Sequence, residues 1–208
     1  MKSNFLSVSA LLFGCAIFSL WQCSAPAPSD AKKEMTHEEM VARGKYLVTA
    51  GSCNDCHSPK VFAADGSFTE DATRLLSGHP AGSTLPPFDL ASAAPGKYYL
   101  GAADLTAWIG PWGISFPANL TPDSATGIGG WSSEIFRNAL RKGKHLGADA
   151  SRPILPPMPW NYIGQMTDED LNSIFAYLKS LPPISNKVPD PIAPTELAAM
   201  AKGGIPGQ

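Results

Sequence analysis

The feature that most constrains this chain of 208 residues is the pentapeptide Cys53-Asn54-Asp55-Cys56-His57. The sequence contains four cysteines, and the other two, Cys15 and Cys23, lie in or next to an apolar N-terminal stretch. The rest of the chain therefore has no general disulfide framework to organise its core. Its two cysteines instead stand three positions apart and directly before a histidine, which indicates a chemical role for all three side chains.

The C-x-x-C-H spacing is typical of covalent c-type haem attachment. Two thiols on one helical turn can reach the two vinyl groups on one porphyrin edge, and the adjacent histidine is then held beneath the iron as the proximal ligand. A neutral imidazole suits iron, and thioether bonds make the cofactor part of the fold. We therefore predict one haem c, bound by Cys53 and Cys56 and ligated by His57.

Two other kinds of site use similar cysteine spacing. A thioredoxin-like redox pair follows a strand in a βαβ unit, whereas this motif follows a helical pattern. A structural zinc site needs a second Cys/His pair at short spacing, but His79 and His145 stand alone. Both alternatives fit the sequence less well than haem attachment does.

The N-terminus predicts export. A basic start and an apolar run from Phe5 to Trp21 precede a polar stretch, so residues 1–22 are predicted to be a secretory signal. Cys23 directly follows this segment, which resembles a bacterial lipoprotein signal and implies acylation of Cys23. Residues 23–36 are then a proline-containing tether, and the mature chain lies in the periplasm or cell envelope, anchored to the membrane. Simple cleavage and a retained membrane anchor are the alternatives.

Composition excludes two classes of protein. Hydrophobic residues make up 44% of the chain and the net charge is −2, a combination that argues against intrinsic disorder. The same near-neutral balance lacks the basic footprint of a nucleic-acid binder. The 19 glycines and 20 prolines predict little regular structure per residue, so we expect something other than long helices or a sheet to organise the core.

Three amphipathic helices are predicted from their capping residues. They begin after Thr36, Ser132 and Thr167, and Gly143 is predicted to end the second. Gly44 lies within the first helix and predicts a close helix crossing, because glycine inside a helix needs a structural reason. The basic residues that end the second helix either complement the helix dipole or form a docking patch for an acidic redox partner; they are Arg141, Lys142, Lys144 and His145.

The stretch 61–130 is rich in glycine and proline and predicts short turns and helical pieces packed over an apolar object. Short helices are predicted over Thr69–Leu76 and Gly101–Ile109. The proline-rich tail, residues 185–208, is expected to drape over the surface or to be mobile.

A haem iron with one histidine needs a second ligand or an open site. The downstream candidates are Met158, Met166, Met200, His79 and His145. Met158 lies within Pro156-Pro157-Met158-Pro159, where restricted backbone entropy favours a fixed thioether. Its alternative role is core filling, which is common for methionine. Met166 directly precedes a helix cap, which favours packing there.

Three features together resemble a monohaem class I cytochrome c domain: a helix leading into CNDCH, a Met-Pro-Trp segment, and the terminal helix MTDEDLNSIFAYLKSLPP. The segment FPANLTPDSATGIGGWSSEIFRNALRKG also resembles cytochrome c domains of bacterial membrane dehydrogenases, such as the cytochrome subunits of alcohol and gluconate dehydrogenases. The resemblance covers roughly residues 38–184. Those subunits carry several haem domains, whereas this chain has one C-x-x-C-H motif.

The resemblance implies an all-α, class I cytochrome c fold over residues 37–184, with three to five helices around a covalent haem and long Gly/Pro-rich loops. It implies that Cys53 and Cys56 form the thioethers, that His57 is the proximal ligand and that Met158 is the distal ligand. The N- and C-terminal helices of the domain would cross near Gly44 and Tyr177.

The function that follows is one-electron transfer between a protein donor and a protein acceptor, outside the cytoplasm, by a carrier that is not itself an enzyme. We expect no nucleic-acid partner. The alternatives are a haem enzyme with an open distal site and a sensor in which a gas displaces Met158.

Overall fold

The computed structural model describes residues 34–203, and side chains are described for residues 34–198. Six α-helices lie in this range: α1 (His37–Ala50), α2 (Cys53–His57), α3 (Ser133–Lys142), α4 (Trp160–Ile163), α5 (Asp168–Ser180) and α6 (Pro194–Gly203). Five short strands accompany them: β1 (Lys60–Phe62), β2 (Phe68–Glu70), β3 (Leu100–Gly101), β4 (Trp108–Gly110) and β5 (Gly113–Ser115). The predicted signal at residues 1–22 and the predicted acylation of Cys23 fall on residues outside the described range.

The fold is mostly helical, as predicted, with small antiparallel sheets that the sequence analysis did not anticipate. Among the described helices, none combines the length and the apolar character needed to cross a membrane.

The caps of the three long helices confirm the sequence prediction. Thr36, Ser132 and Thr167 each place a side-chain oxygen where it accepts a hydrogen bond from the backbone N–H three residues later. At Thr36 the capping box is complete, because Glu39 also accepts from the Thr36 N–H at 2.7 Å. Gly143 ends α3 in the left-handed conformation, with φ at 63°, as predicted.

Helices α1 and α5 cross where Gly44 removes a side chain. A Cβ atom at Gly44 would lie 1.9 Å from the Ser173 carbonyl oxygen and 2.7 Å from the Tyr177 Cβ. Only glycine allows the two backbones to approach so closely. An ion pair between Arg43 and Asp170, with 2.9 Å between nitrogen and oxygen, also joins the two helices. The predicted crossing near Gly44 and Tyr177 is therefore confirmed.

The main core lies between α1, α3 and α5. Its buried members are all apolar, namely Val48, Leu76, Ile128, Phe136, Leu140, Leu171, Ile174 and Leu178. Removing these side chains from water is the main stabilising contribution of the helical part.

The predicted helices over Thr69–Leu76 and Gly101–Ile109 are wrong. β1 and β2 form an antiparallel hairpin that ends at Glu70, and β3, β4 and β5 form a three-stranded antiparallel sheet. Turns interrupt both segments because an aspartate side chain bonds the backbone N–H two residues later: Asp71 accepts from Thr73 at 2.9 Å, and Asp104 accepts from Thr106 at 3.0 Å.

A second, smaller core covers the three-stranded sheet. Its buried members are Ala93, Ile109, Ile114 and Leu197. Part of the tail belongs to this core: Ile192 exchanges two backbone hydrogen bonds with Ile114, at 2.9 and 3.0 Å, and Leu197 of α6 is buried. These residues of the tail are therefore packed against the rest of the molecule and are not loose, because two apolar side chains and one strand edge find partners there.

Candidate functional site

α2 carries the C-x-x-C-H motif directly after α1. Ser52, in the left-handed conformation with φ at 52°, redirects the chain between the two helices. Lys60 then fixes the end of α2 by donating hydrogen bonds to the carbonyl oxygens of Asn54, Asp55 and Ser58 at 3.1, 2.8 and 2.7 Å. The motif thus lies on a short helix whose carbonyl groups are held by Lys60.

Both thiols of α2 are free and partly buried. Burial is the largest cause that raises the pKa of Cys53 and of Cys56, and the negative charge of Asp55 adds to it. Such thiols are protonated at neutral pH, so the structure gives no sign of the activated thiolate that disulfide exchange requires.

The His57 imidazole is buried and oriented by the backbone. Its Nδ1 lies 2.8 Å from the Ala118 carbonyl oxygen, and because a carbonyl can only accept, Nδ1 carries the proton. Burial lowers the pKa of His57, so the ring is neutral. The Nε2 lone pair is therefore free to bind a metal, and the hydrogen bond to Ala118 fixes the direction in which it points.

One cleft brings the predicted haem-binding residues together: it is lined by Cys53, Cys56, His57 and Met158. The rest of its lining is mostly apolar and comes from the main core and the sheet, including Val48, Trp108, Phe116, Ile128, Trp131 and Leu140. Two free thiols, a neutral imidazole and a thioether in apolar surroundings are a donor set that fits haem c.

The structure separates the candidates for the second ligand. Met166 packs against the main core and is not part of the cleft lining. His79 is buried elsewhere, with its Nδ1 2.9 Å from the Thr106 hydroxyl oxygen. His145 does line the cleft, where its ring meets Trp131 edge-on at 5.7 Å between centroids. The Met200 side chain lies outside the described ones.

The two alternative sites find no support among residues 34–203. No group of three or more His, Cys, Asp or Glu side chains in this range could hold a metal ion, so half a zinc site is not completed. The motif also follows helix α1 and no strand precedes it within the described range, which differs from a thioredoxin-like unit.

Two of the basic residues at the end of α3, Arg141 and Lys142, bond other parts of the chain. Arg141 donates to the Gly164 carbonyl at 3.0 Å and also pairs with Asp168, while Lys142 bonds Asp149 at 3.0 Å. These contacts engage two of the four basic residues, whose side chains stay 39% and 45% exposed, so helix-dipole complementation and a docking patch both stay predictions.

The roles of Ser115 and Ala118 were not predicted from the sequence, although Ala118 lies in the segment that carries the family resemblance. Ala118 acts through its backbone carbonyl, which leaves no trace in a sequence. The Ser115 hydroxyl donates to the Pro156 carbonyl oxygen at 2.6 Å. The one signal in the sequence that points to Ser115 is the glycine-containing turn of the β4–β5 hairpin, around Gly113.

No family model matches the chain. It is 28% identical over 188 residues to the cytochrome c subunit of an alcohol dehydrogenase (quinone) of Gluconacetobacter polyoxogenes, covering 88% of this chain and 34% of that protein. It is also 28% identical over 185 residues to the fructose dehydrogenase cytochrome subunit of Gluconobacter japonicus, covering 88% of this chain and 29% of that protein. The gluconate 2-dehydrogenase cytochrome c subunit of Pantoea cypripedii is 28% identical over 144 residues, 69% of this chain and 24% of that protein.

The motif on α2 and these similarities support a cytochrome c domain. More particularly, the domain is similar to those in the cytochrome subunits of dehydrogenases, as the sequence analysis predicted. The chain spans about a third or less of the length of the three relatives described.

Proposed function

We propose that this chain is an electron-transfer cytochrome that holds one haem c, with thioethers to Cys53 and Cys56 and with His57 and Met158 as axial ligands. The observation that carries the proposal is that all four side chains line one largely apolar cleft. The names of the relatives, which are dehydrogenase cytochrome subunits, support a covalently bound haem c and an electron-transfer role.

When bound, the haem supplies one-electron cycling between ferrous and ferric iron. The residues of the chain keep the surroundings the same in both states. Ala118 holds the imidazole of His57, and the prolines on either side of Met158 restrict its loop. The apolar lining excludes water, and thioether ligation in a dry site favours a higher reduction potential. The side chains make and break no bonds, so the proposed role is that of a carrier.

The proposal extends to the setting of the protein. A secretory signal at residues 1–22 and acylation at Cys23 would place the domain in the periplasm or cell envelope, held at the membrane. Its donor and acceptor would be redox proteins, one of them the catalytic subunit of a dehydrogenase, by similarity to the named relatives. The helix crossing at Gly44 supports a class I cytochrome c fold, which we also propose.

Replacing Met158 tests the ligand set. The oxidised wild-type protein is expected to have the near-infrared absorption band of a sulfur-to-iron bond, and Met158→Ala is expected to lose that band and to lower the reduction potential, because a softer ligand that favours ferrous iron is removed. Met166→Ala is the matched control, since Met166 packs outside the cleft, and it should keep the band.

Two results would contradict the proposal. One is a band that survives in Met158→Ala, which would show that another group ligates the iron. The other is ready carbon monoxide binding by the reduced wild-type protein without any near-infrared band, which would favour a haem enzyme or a gas sensor with an open distal site.

A further inference from the structure

We infer that Ser115 is a positioning residue for the loop that carries Met158. The inference rests on the proposed function, because it takes Met158 as a haem ligand. The Ser115 hydroxyl donates to the Pro156 carbonyl oxygen at 2.6 Å, two residues before Met158, and Ser115 is only 7% exposed. A short bond shielded from water is a firm constraint on the loop.

The loop offers few other points of attachment. Three of the residues in Pro156-Pro157-Met158-Pro159 are prolines, which have no N–H to donate. The loop backbone must therefore be held mainly through its carbonyl oxygens. The Pro159 carbonyl accepts from the N–H groups of Tyr162 and Ile163 in α4, at 3.1 Å each, so it ties the loop only to the helix that follows it. The bond from Ser115 ties the loop to a different part of the molecule.

Ser115 is itself held in a fixed orientation. It lies in β5, paired with Trp108 of β4, and its oxygen accepts a hydrogen bond from the Trp112 indole Nε1 at 3.3 Å. A hydroxyl has one proton to donate, and with Trp112 occupying an acceptor position that proton is directed to Pro156. The Trp112 ring lies against Gly110, where an added Cβ would come within 2.6 Å of it, and meets Tyr99 at 4.8 Å between centroids.

The same short segment also holds the proximal side of the cleft. Ala118, three residues after Ser115, accepts the hydrogen bond from His57 at 2.8 Å. Between them, the Pro117 carbonyl accepts from the His79 N–H at 3.0 Å, which secures the segment to the chain beyond α2. One stretch of backbone therefore joins the imidazole of His57 to the loop of Met158, and Ser115 is its contact with that loop.

Loss of the Ser115 hydroxyl should loosen the loop without disturbing haem attachment. A typical net hydrogen bond shifts an equilibrium by about fivefold, so in haem-loaded Ser115→Ala the loop should be displaced from the iron about five times more often. Carbon monoxide should bind the reduced protein about fivefold faster than wild type, and the near-infrared band should weaken. The mass of the protein with its covalent haem should change only by the substitution. Ser115→Thr, which keeps the hydroxyl, should restore both signals.

Ser92→Ala is the matched control. It removes another serine hydroxyl, which donates to Asp89 at 2.6 Å and not to the Met158 loop, and it should leave both signals unchanged. If Ser115→Ala does not accumulate, Trp112→Phe keeps an aromatic ring but removes the indole N–H, and it should accelerate carbon monoxide binding in the same direction.

The inference is overturned if Ser115→Ala, or Trp112→Phe in its place, binds carbon monoxide at the wild-type rate with a band of wild-type strength. That result does not affect the proposed function, provided that Met158→Ala loses the near-infrared band seen in the wild type. A wild-type protein that has no band at all overturns the proposed function instead.

Discussion

His57 and His79 are both buried imidazoles, and the atoms around them give the rings different roles. His57 bonds a backbone carbonyl and faces the cleft. His79 bonds the Thr106 hydroxyl, which in turn donates to Asp104 at 2.7 Å. Because that hydroxyl has already given its proton to Asp104, it must accept from His79, so Nδ1 of His79 is protonated too. His79 is thus part of a hydrogen-bond network with Thr106 and Asp104, away from the cleft.

The His79 network predicts a loss of stability in mild acid. Burial lowers the pKa of His79 below its ordinary value of 6.5; Arg74 also lowers the pKa, and Asp104 opposes the shift. The folded state therefore binds fewer protons than the unfolded chain once the pH falls below 6.5, and the free energy of unfolding contributed by this group is full above 6.5 and declines below it. His79→Gln should reduce this decline, as measured by urea unfolding of the haem-loaded protein at a series of pH values.

His37→Gln is the control for that series, since His37 is exposed at the start of α1. It should leave the pH dependence as it is in the wild type. An equally steep decline in His79→Gln and in the wild type would assign the acid sensitivity to other groups.

Residues differ in how far the sequence reveals them. Cys53, Cys56 and His57 are visible because their chemistry depends on spacing along the chain. Ala118 and Ser115 are not, because each acts on a partner that only the fold brings near, and one of them acts through the backbone alone.

Among the elements, helices α1, α3 and α5 were predictable, whereas α6 and the strands were not. Helix ends depend on side chains a few residues apart, as at Thr36 and Thr167, and the apolar faces repeat with the helical period. The strands have only two or three residues each, too short for an alternating pattern to stand out, and their turns depend on single aspartates such as Asp71 and Asp104.

The crossing of α1 with α5 predicts a strong effect of one methyl group. Gly44→Ala would place a Cβ against the Ser173 carbonyl, which belongs to rigid backbone, so the helices must separate. We expect a loss of about 1–3 kcal/mol in the free energy of unfolding, the usual cost of overpacking. Denaturant unfolding followed by far-ultraviolet circular dichroism measures this difference.

Gly130→Ala provides the comparison, since an added Cβ there meets nothing within 4 Å. Its free energy of unfolding should stay within about 0.5 kcal/mol of the wild type. Equal stabilities for the Gly44 and Gly130 variants would mean that the two helices do not pack this closely in solution.

At the scale of the whole molecule, one side chain links the tail to the chain that follows α2. The Asn186 amide nitrogen donates to the carbonyl oxygens of Ser77 and His79 at 2.7 and 2.8 Å, and its oxygen accepts from the Ala81 N–H at 2.9 Å. The side chain is buried and satisfies three backbone groups of a loop. The sequence offered no signal for this role, because an asparagine in a proline-rich tail ordinarily indicates a turn.

Asn186→Ala should therefore destabilise the whole protein. Two buried carbonyl groups and the Ala81 N–H lose their partner, and we expect a decrease of about 2–4 kcal/mol in the free energy of unfolding, measured by thermal or urea denaturation. Asn161→Ala changes an exposed asparagine of α4 and should have almost no effect on the same measurement. If Asn186→Ala is as stable as the wild type, Asn186 does not contribute to the stability of the fold. That result would agree with a domain that ends at residue 184.

The pairing of Ile192 with Ile114 has a consequence for the order of folding. The two residues are far apart in the sequence, so joining them closes a large loop. Contacts of this kind slow folding because the chain loses conformational entropy before it gains the stabilising contact. The contact between α1 and α2, which are neighbours along the chain, needs no such closure. A newly made chain would thus present Cys53 and Cys56 for covalent attachment early, while β5 still lacks its pairing with Ile192.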